Sequence, residues 1–165
     1  MAKQAIVLIG MPGSGKTRVG QALAQLLNWR WVDVDALVAD DVPAFIEREG
    51  IDAFRARERA VIAALTPQDS VVSVGGGAIL DPANRENLRA LGPVVWLRAS
   101  LATLVERVGS GEGRPLLQGD PAATLPKLLE ERTPIYEAVA TIAVDVDGRD
   151  AFENAGEVMK ALTPC

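Results

Sequence analysis

The sequence predicts an α/β fold with a five-stranded, largely parallel sheet and helices on both faces. Two observations carry this reading. Short apolar runs alternate with longer segments whose apolar residues recur at helical spacing. A glycine-rich loop also joins the first apolar run to the first helical segment, the position of a ligand-binding turn in such sheets. The 165 residues suit one domain, 1–165, and with 48% hydrophobic residues the chain builds its core without staples.

Five runs read as strands: Ala5 to Ile9, Trp29 to Val34, Ser70 to Val74, Pro93 to Leu97 and Thr141 to Val146. Each is rich in Val, Ile, Leu or Trp and is bounded on at least one side by Gly, Pro or Asp. Helical spacing runs through "GKTRVGQALAQLL", "DAFRARERAVIAAL", "PANRENLRALG" and "LATLVERV", then through Leu125 to Val139 and Ala151 to Leu162. Trp29, Trp31 and Trp96 fall in or beside strands and read as core. Two stretches break the rhythm: "GGG", Gly75 to Gly77, directly after a strand, and "GSGEGRPLLQGD", Gly109 to Asp120.

Composition removes several chemistries. The chain has no histidine and a single cysteine, Cys165, so histidine-based triads, internal disulfides and Cys/His metal sites are excluded. Any metal must be held by oxygen ligands. A net charge of −5 argues against a nucleic-acid partner. The opening "MAKQAIVLIG" is too short for a membrane span and reads poorly as a signal peptide, so no membrane partner and a cytoplasmic location are expected. A monomer is the expected state.

"GMPGSGKT" (Gly10, Met11, Pro12, Gly13, Ser14, Gly15, Lys16, Thr17) matches G-x-x-x-x-G-K-[ST] between a strand and a helix. Its backbone amides and the helix N-terminus suit a phosphate chain. Lys16 suits the β- and γ-phosphates, and the Thr17 hydroxyl suits Mg²⁺. This points to a three-layer phosphate-loop NTPase fold and to ATP with Mg²⁺. The strand "WVDVD" adds Asp33 and Asp35, which strand period would place on one face. One carboxylate can help hold the metal; the other can orient an acceptor hydroxyl. The alternative for Asp35 is the N-cap of a helix from Ala36.

Taken together, "GMPGSGKT", "DVD", "FRARE", "GGGAI", "GRPLL" and "ERTPIY" occur in the order found in the shikimate kinase family, which the sequence resembles over nearly its full length. The resemblance implies a nucleoside-monophosphate-kinase-like fold with a mobile lid, about residues 109–123, and a substrate-binding segment, about residues 36–65. It implies transfer of the γ-phosphate of ATP to the 3-hydroxyl of shikimate, on the route to chorismate and aromatic amino acids. By the same resemblance, Asp33 and Thr17 serve the metal and Asp35 binds the shikimate hydroxyls as candidate base. Arg55 and Arg132 hold the shikimate carboxylate, and Gly75, Gly76 and Gly77 approach the substrate through their backbone. Arg114 comes from the lid onto the transferring phosphate beside Lys16, and Arg107 lies against the adenine.

Residue chemistry is compatible with each role, since Arg offers a bidentate fork to a carboxylate and Glu58, three residues after Arg55, can orient that fork. Blander readings remain beside them: a solvated helix face for Arg55 and Arg132, a flexible loop for the glycines, a disordered loop for Arg114. Pro134 inside a helical pattern suggests a bend or a fixed turn. The segment from Asp35 to Arg55 is a few residues shorter than in many members of the family. A gluconate kinase or nucleotide kinase, and a non-catalytic ATP-binding module, are the competing readings.

Overall fold

The structure, a computed structural model, describes residues 3–109 and 120–164. Five parallel strands form one sheet: β1 (Ala5–Ile9), β2 (Arg30–Asp33), β3 (Ser70–Ser73), β4 (Val94–Arg98) and β5 (Ile142–Asp145), in the order β2-β3-β1-β4-β5. The register pairs Leu8 of β1 with Ser73 of β3 and with Val95 of β4, so the carboxyl ends of β1, β3 and β4 lie side by side. Asp33 of β2 is opposite Ser73. The order therefore brings the two expected ligand turns, after β1 and after β3, next to each other.

The helices are α1 (Lys16–Leu27), α2 (Val34–Val38), α3 (Val42–Glu49), α4 (Ile51–Ala64), α5 (Pro82–Leu91), α6 (Leu101–Val108), α7 (Pro121–Val139) and α8 (Ala151–Leu162), with a 3₁₀ turn at Ala78–Leu80. Alternation along β1 divides the core. Ala5, Val7 and Ile9 join Val72, Trp96, Phe54, Leu88 and Tyr136 on one face. Ile6 and Leu8 join Val71, Val95, Leu23 and Val158 on the other, under α1 and α8. Strands buried on both faces read as continuous apolar runs, which is why their positions are visible in the sequence.

Three expectations need correction. Asp35 is not an N-cap: Asp33 caps α2, its Oδ1 accepting from Asp35 N at 3.1 Å, and the helix starts at Val34. Because the strand ends at Asp33, strand alternation does not align the two carboxylates; the strand-to-helix turn does. Pro134 neither ends nor interrupts α7, which runs through Pro126 and Pro134 to Val139. Both prolines lie on the exposed side, where water can take up the carbonyls they leave without donors. Trp96 is core, whereas Trp29 and Trp31 are half-buried, and Trp31 Nε1 donates to Ser73 Oγ at 3.1 Å.

Candidate active site

The loop from Gly10 to Thr17 wraps the end of β1 and opens α1. Gly13 and Gly15 take φ of 85° and 95°, which side chains resist, and so the loop curls with its amides turned inward. Lys16 Nζ crosses the concave side to Gly10 O at 2.8 Å and Met11 O at 2.9 Å. Ser14 N closes the turn onto Met11 O at 3.1 Å. Arg107 of α6 braces the outside, Nη1 donating to Gly13 O and Ser14 O at 3.4 and 3.3 Å. A cleft of about 830 Å³ opens above the loop. Pro12, Gly13, Gly15, Lys16, Thr17 and Arg107 line it, while Gly10, Met11 and Ser14 are buried beneath and shape the loop.

Asp33 and Asp35 face the same cleft. Asp35 Oδ1 is buried and has no hydrogen-bond partner among the described residues. Burial pushes the Asp35 carboxyl up, the charge of Asp33 adds to this, and Lys16 and Arg55 pull it back. Such a group holds a proton more readily than a surface aspartate, which suits a carboxylate that receives one from a hydroxyl.

The glycine turn after β3 is shaped by what surrounds it. A Cβ on Gly75 would lie 3.0 Å from Asp35 Oδ1 and 3.3 Å from Glu58 Oε2, so two carboxylates converge over this residue. One on Gly76 would lie 2.9 Å from Pro12 Cδ and 3.1 Å from Arg132 Nη1, and one on Gly77 would fall on the Arg55 guanidinium. Arg55 Nη1 donates to Glu58 Oε1 at 2.8 Å, and Glu58 is fully buried with Oε2 unpartnered. Burial raises the Glu58 carboxyl against the pull of Arg55. Arg132 is only 4% exposed, yet among the described residues it has no ion pair. A buried guanidinium without a carboxylate partner is costly unless an anion completes it. Arg55 and Arg132 thus flank the turn at the floor of the cleft.

Three features escaped the sequence. Arg149, Asp150, Ala151 and Asn154 also line the cleft. They come from the β5–α8 connection and the first turn of α8, which carry no motif. Ile46 and Ile51, from α3 and α4, add apolar lining to the cleft. Tyr136 is buried, and its hydroxyl donates to Gly76 O at 2.7 Å. Burial raises its pKa to about 12 against the pull of Arg132, so it stays a donor. Arg114 and most of the expected lid lie outside the described residues; α7 already begins at Pro121, capped by Asp120.

A divalent cation fits here. The described residues hold no group of three or more His, Cys, Asp or Glu able to bind a metal unaided. The Thr17 hydroxyl and the Asp33 carboxylate share one cleft and are hard oxygen donors. Mg²⁺ takes few protein ligands and fills its shell with phosphate oxygens and water, so that donor set matches it.

Comparison with known proteins agrees with this geometry. The family model for shikimate kinase matches residues 12–163. A curated shikimate kinase from Marinomonas sp. (strain MWYL1) is 39% identical over 165 residues, covering 95% of this chain and 91% of that one. Among solved structures, a shikimate kinase from Acinetobacter baumannii in complex with shikimate superposes with a TM-score of 0.92 at 34% identity, covering 97% and 93% of the two chains. A gluconokinase from Sinorhizobium meliloti 1021 reaches 0.63 at 27% identity over 97% and 95%. The expected gluconate kinase likeness is therefore real at the level of fold and weaker throughout. The phosphate loop, the second-strand aspartates and the arginine-flanked glycine turn belong to a chain that is a member of the shikimate kinase family, whose enzymes use ATP with Mg²⁺ to phosphorylate shikimate.

Proposed function

We propose that the cleft performs this phosphoryl transfer with the following division of labour. ATP lays its phosphates into the Gly10–Thr17 loop, with Lys16 on the β- and γ-phosphates and Arg107 against the adenine. Thr17 and Asp33 hold Mg²⁺, which when bound neutralises phosphate charge. The carboxylate of the acceptor lies between Arg55 and Arg132, against the backbone of Gly75 to Gly77. Its ring hydroxyls reach Asp35, which aims the 3-hydroxyl in line with the γ-phosphate and receives its proton. Arg114 approaches the transferring group from the lid and helps exclude water.

Phosphoryl transfer asks mainly for positioning and charge neutralisation, and each named group supplies one or the other. The observation that carries the acceptor side is Arg132, buried and without an ion pair among the described residues, which shares the glycine turn with the Glu58-held Arg55 and meets Pro12 of the phosphate loop across Gly76. A small anion bearing hydroxyls satisfies the guanidinium and the unpartnered Asp35 Oδ1 at once. The enzyme works as a monomer in the cytoplasm; in keeping with that, none of the described helices is long and apolar enough to cross a membrane.

ADP release with Mg²⁺-ATP tests the reading. Release is expected with shikimate and not with gluconate or nucleoside monophosphates. Turnover on gluconate in preference to shikimate would transfer the site to the competing kinase class. Tight ATP binding with no turnover on any of them would leave only a nucleotide-binding module.

A further inference from the structure

Gly76 stands where three elements meet. Its Cα faces Pro12 of the phosphate loop and Arg132 of α7, and its carbonyl accepts from the Tyr136 hydroxyl, also of α7, at 2.7 Å. Tyr136 is the only tyrosine in the chain, is fully buried, and stacks on Trp96 with ring centroids 5.8 Å apart and an interplanar angle of 26°. Two aromatic rings therefore hold the hydroxyl rigidly. A phenylalanine would fill the same ring space, so packing alone leaves the hydroxyl unexplained.

The peptide plane explains it. In a trans peptide the carbonyl of Gly76 and the N–H of Gly77 point in opposite directions. With no Cβ on either residue, the Gly76–Gly77 peptide rotates more easily than most. Neither the Gly76 N–H nor the Gly77 N–H donates to a backbone carbonyl among the described residues. Anchoring the carbonyl on Tyr136 fixes the plane and turns the Gly77 N–H away from α7. Tyr136 also lies one turn after Arg132 on the same helix, so one element sets both the guanidinium and the peptide.

We propose that Tyr136 is a positioning residue for the acceptor: its hydroxyl fixes the Gly76–Gly77 peptide so that the backbone and Arg132 present one rigid anion cradle. This rests on the assignment of the acceptor carboxylate to Arg55, Arg132 and the glycine turn. The hydroxyl does not touch the reacting atoms.

The test is Tyr136→Phe, with Val158→Ala as a packing control and Arg132→Ala as a control on the acceptor assignment. Kinetics are run at a temperature where melting curves show each variant folded. Tyr136→Phe is expected to raise the shikimate KM about 5- to 20-fold, comparable to losing one hydrogen bond to a bound group, and to leave the ATP KM within about twofold. Val158→Ala, in the core on the opposite face of the sheet, is expected to lower Tm without moving the shikimate KM. If Arg132→Ala raises the shikimate KM and Tyr136→Phe does not, the positioning role is wrong and the acceptor assignment stands. If neither variant moves it, both are wrong. Should Tyr136→Phe fail to fold, 3-fluorotyrosine incorporation labels this one position. Its ¹⁹F resonance is then expected to shift on saturation with shikimate, and an unmoved resonance overturns the proposal.

Discussion

Asp35 combines two properties that pull apart. It is placed where burial and Asp33 disfavour its charge, yet Lys16 and Arg55 stand close enough to draw it back. The balance leaves a carboxylate that gains from an approaching hydroxyl, because Oδ1 has no other partner among the described residues. Asp35→Asn keeps the shape and removes the charge and the proton acceptor. Turnover is expected to fall by about 10²- to 10⁴-fold, while the ATP dissociation constant changes little. Steady-state kinetics and nucleotide titration decide it, and near wild-type turnover would reduce Asp35 to a hydroxyl-binding residue. Sequence alone singled out Asp35 but assigned the wrong capping alternative. A cap is a local contact between a side chain and an N–H two residues on, and "DVD" offers two frames for it.

At the scale of elements, the turn from β2 into α2 assigns two duties to Asp33: it caps the helix that carries Asp35, and it faces the cleft beside Thr17. These duties are separable, since Asn caps about as well as Asp but lacks the charge. Asp33→Asn is expected to change stability by less than about 0.5 kcal/mol. The Mg²⁺ concentration for half-maximal activity is expected to rise about tenfold or more, as for loss of a group that supports a metal. A melting curve with a Mg²⁺ titration separates the two, and a large loss of stability with unchanged Mg²⁺ demand would leave only the cap. The short helices α2 and α3 were not resolved from α4 in the sequence, because five and eight residues give too few turns for periodicity to register. Their start at Asp41 and stop at Gly50 were visible only as single residues.

Over the whole molecule, burial of Glu58 makes stability depend on pH. A carboxyl whose proton affinity is higher folded than unfolded binds more protons when folded, so its contribution declines as pH rises above its ordinary 4.5. Glu58→Gln lacks this dependence. The Tm of the variant minus that of the wild type is therefore expected to become more positive as pH rises from 4.5, whichever is the more stable at the start. A constant difference across that range would show that Glu58 titrates as if unburied. Asp81 and Asp145 act in the opposite sense, held low by Arg59 and Arg98, and their contributions are lost as pH falls below their ordinary 3.8 toward the lowered folded values. They are solvent-screened surface pairs, so they are expected to matter less.

What the sequence determined by itself was whatever depends on near neighbours along the chain. A phosphate loop is eight consecutive residues, strands buried on both faces are unbroken apolar runs, and Arg55 finds Glu58 one helical turn away. The order β2-β3-β1-β4-β5 was decided only by tertiary structure, and that order is what sets the glycine turn against the phosphate loop. So was the environment of Arg132, whose lack of a carboxylate partner among the described residues is a property of everything packed around it. The same holds for Tyr136, which reaches Gly76 across 60 residues of chain. An apolar helix position is a common feature in sequence; a hydroxyl aimed at one carbonyl exists only once the helix and the turn have packed together.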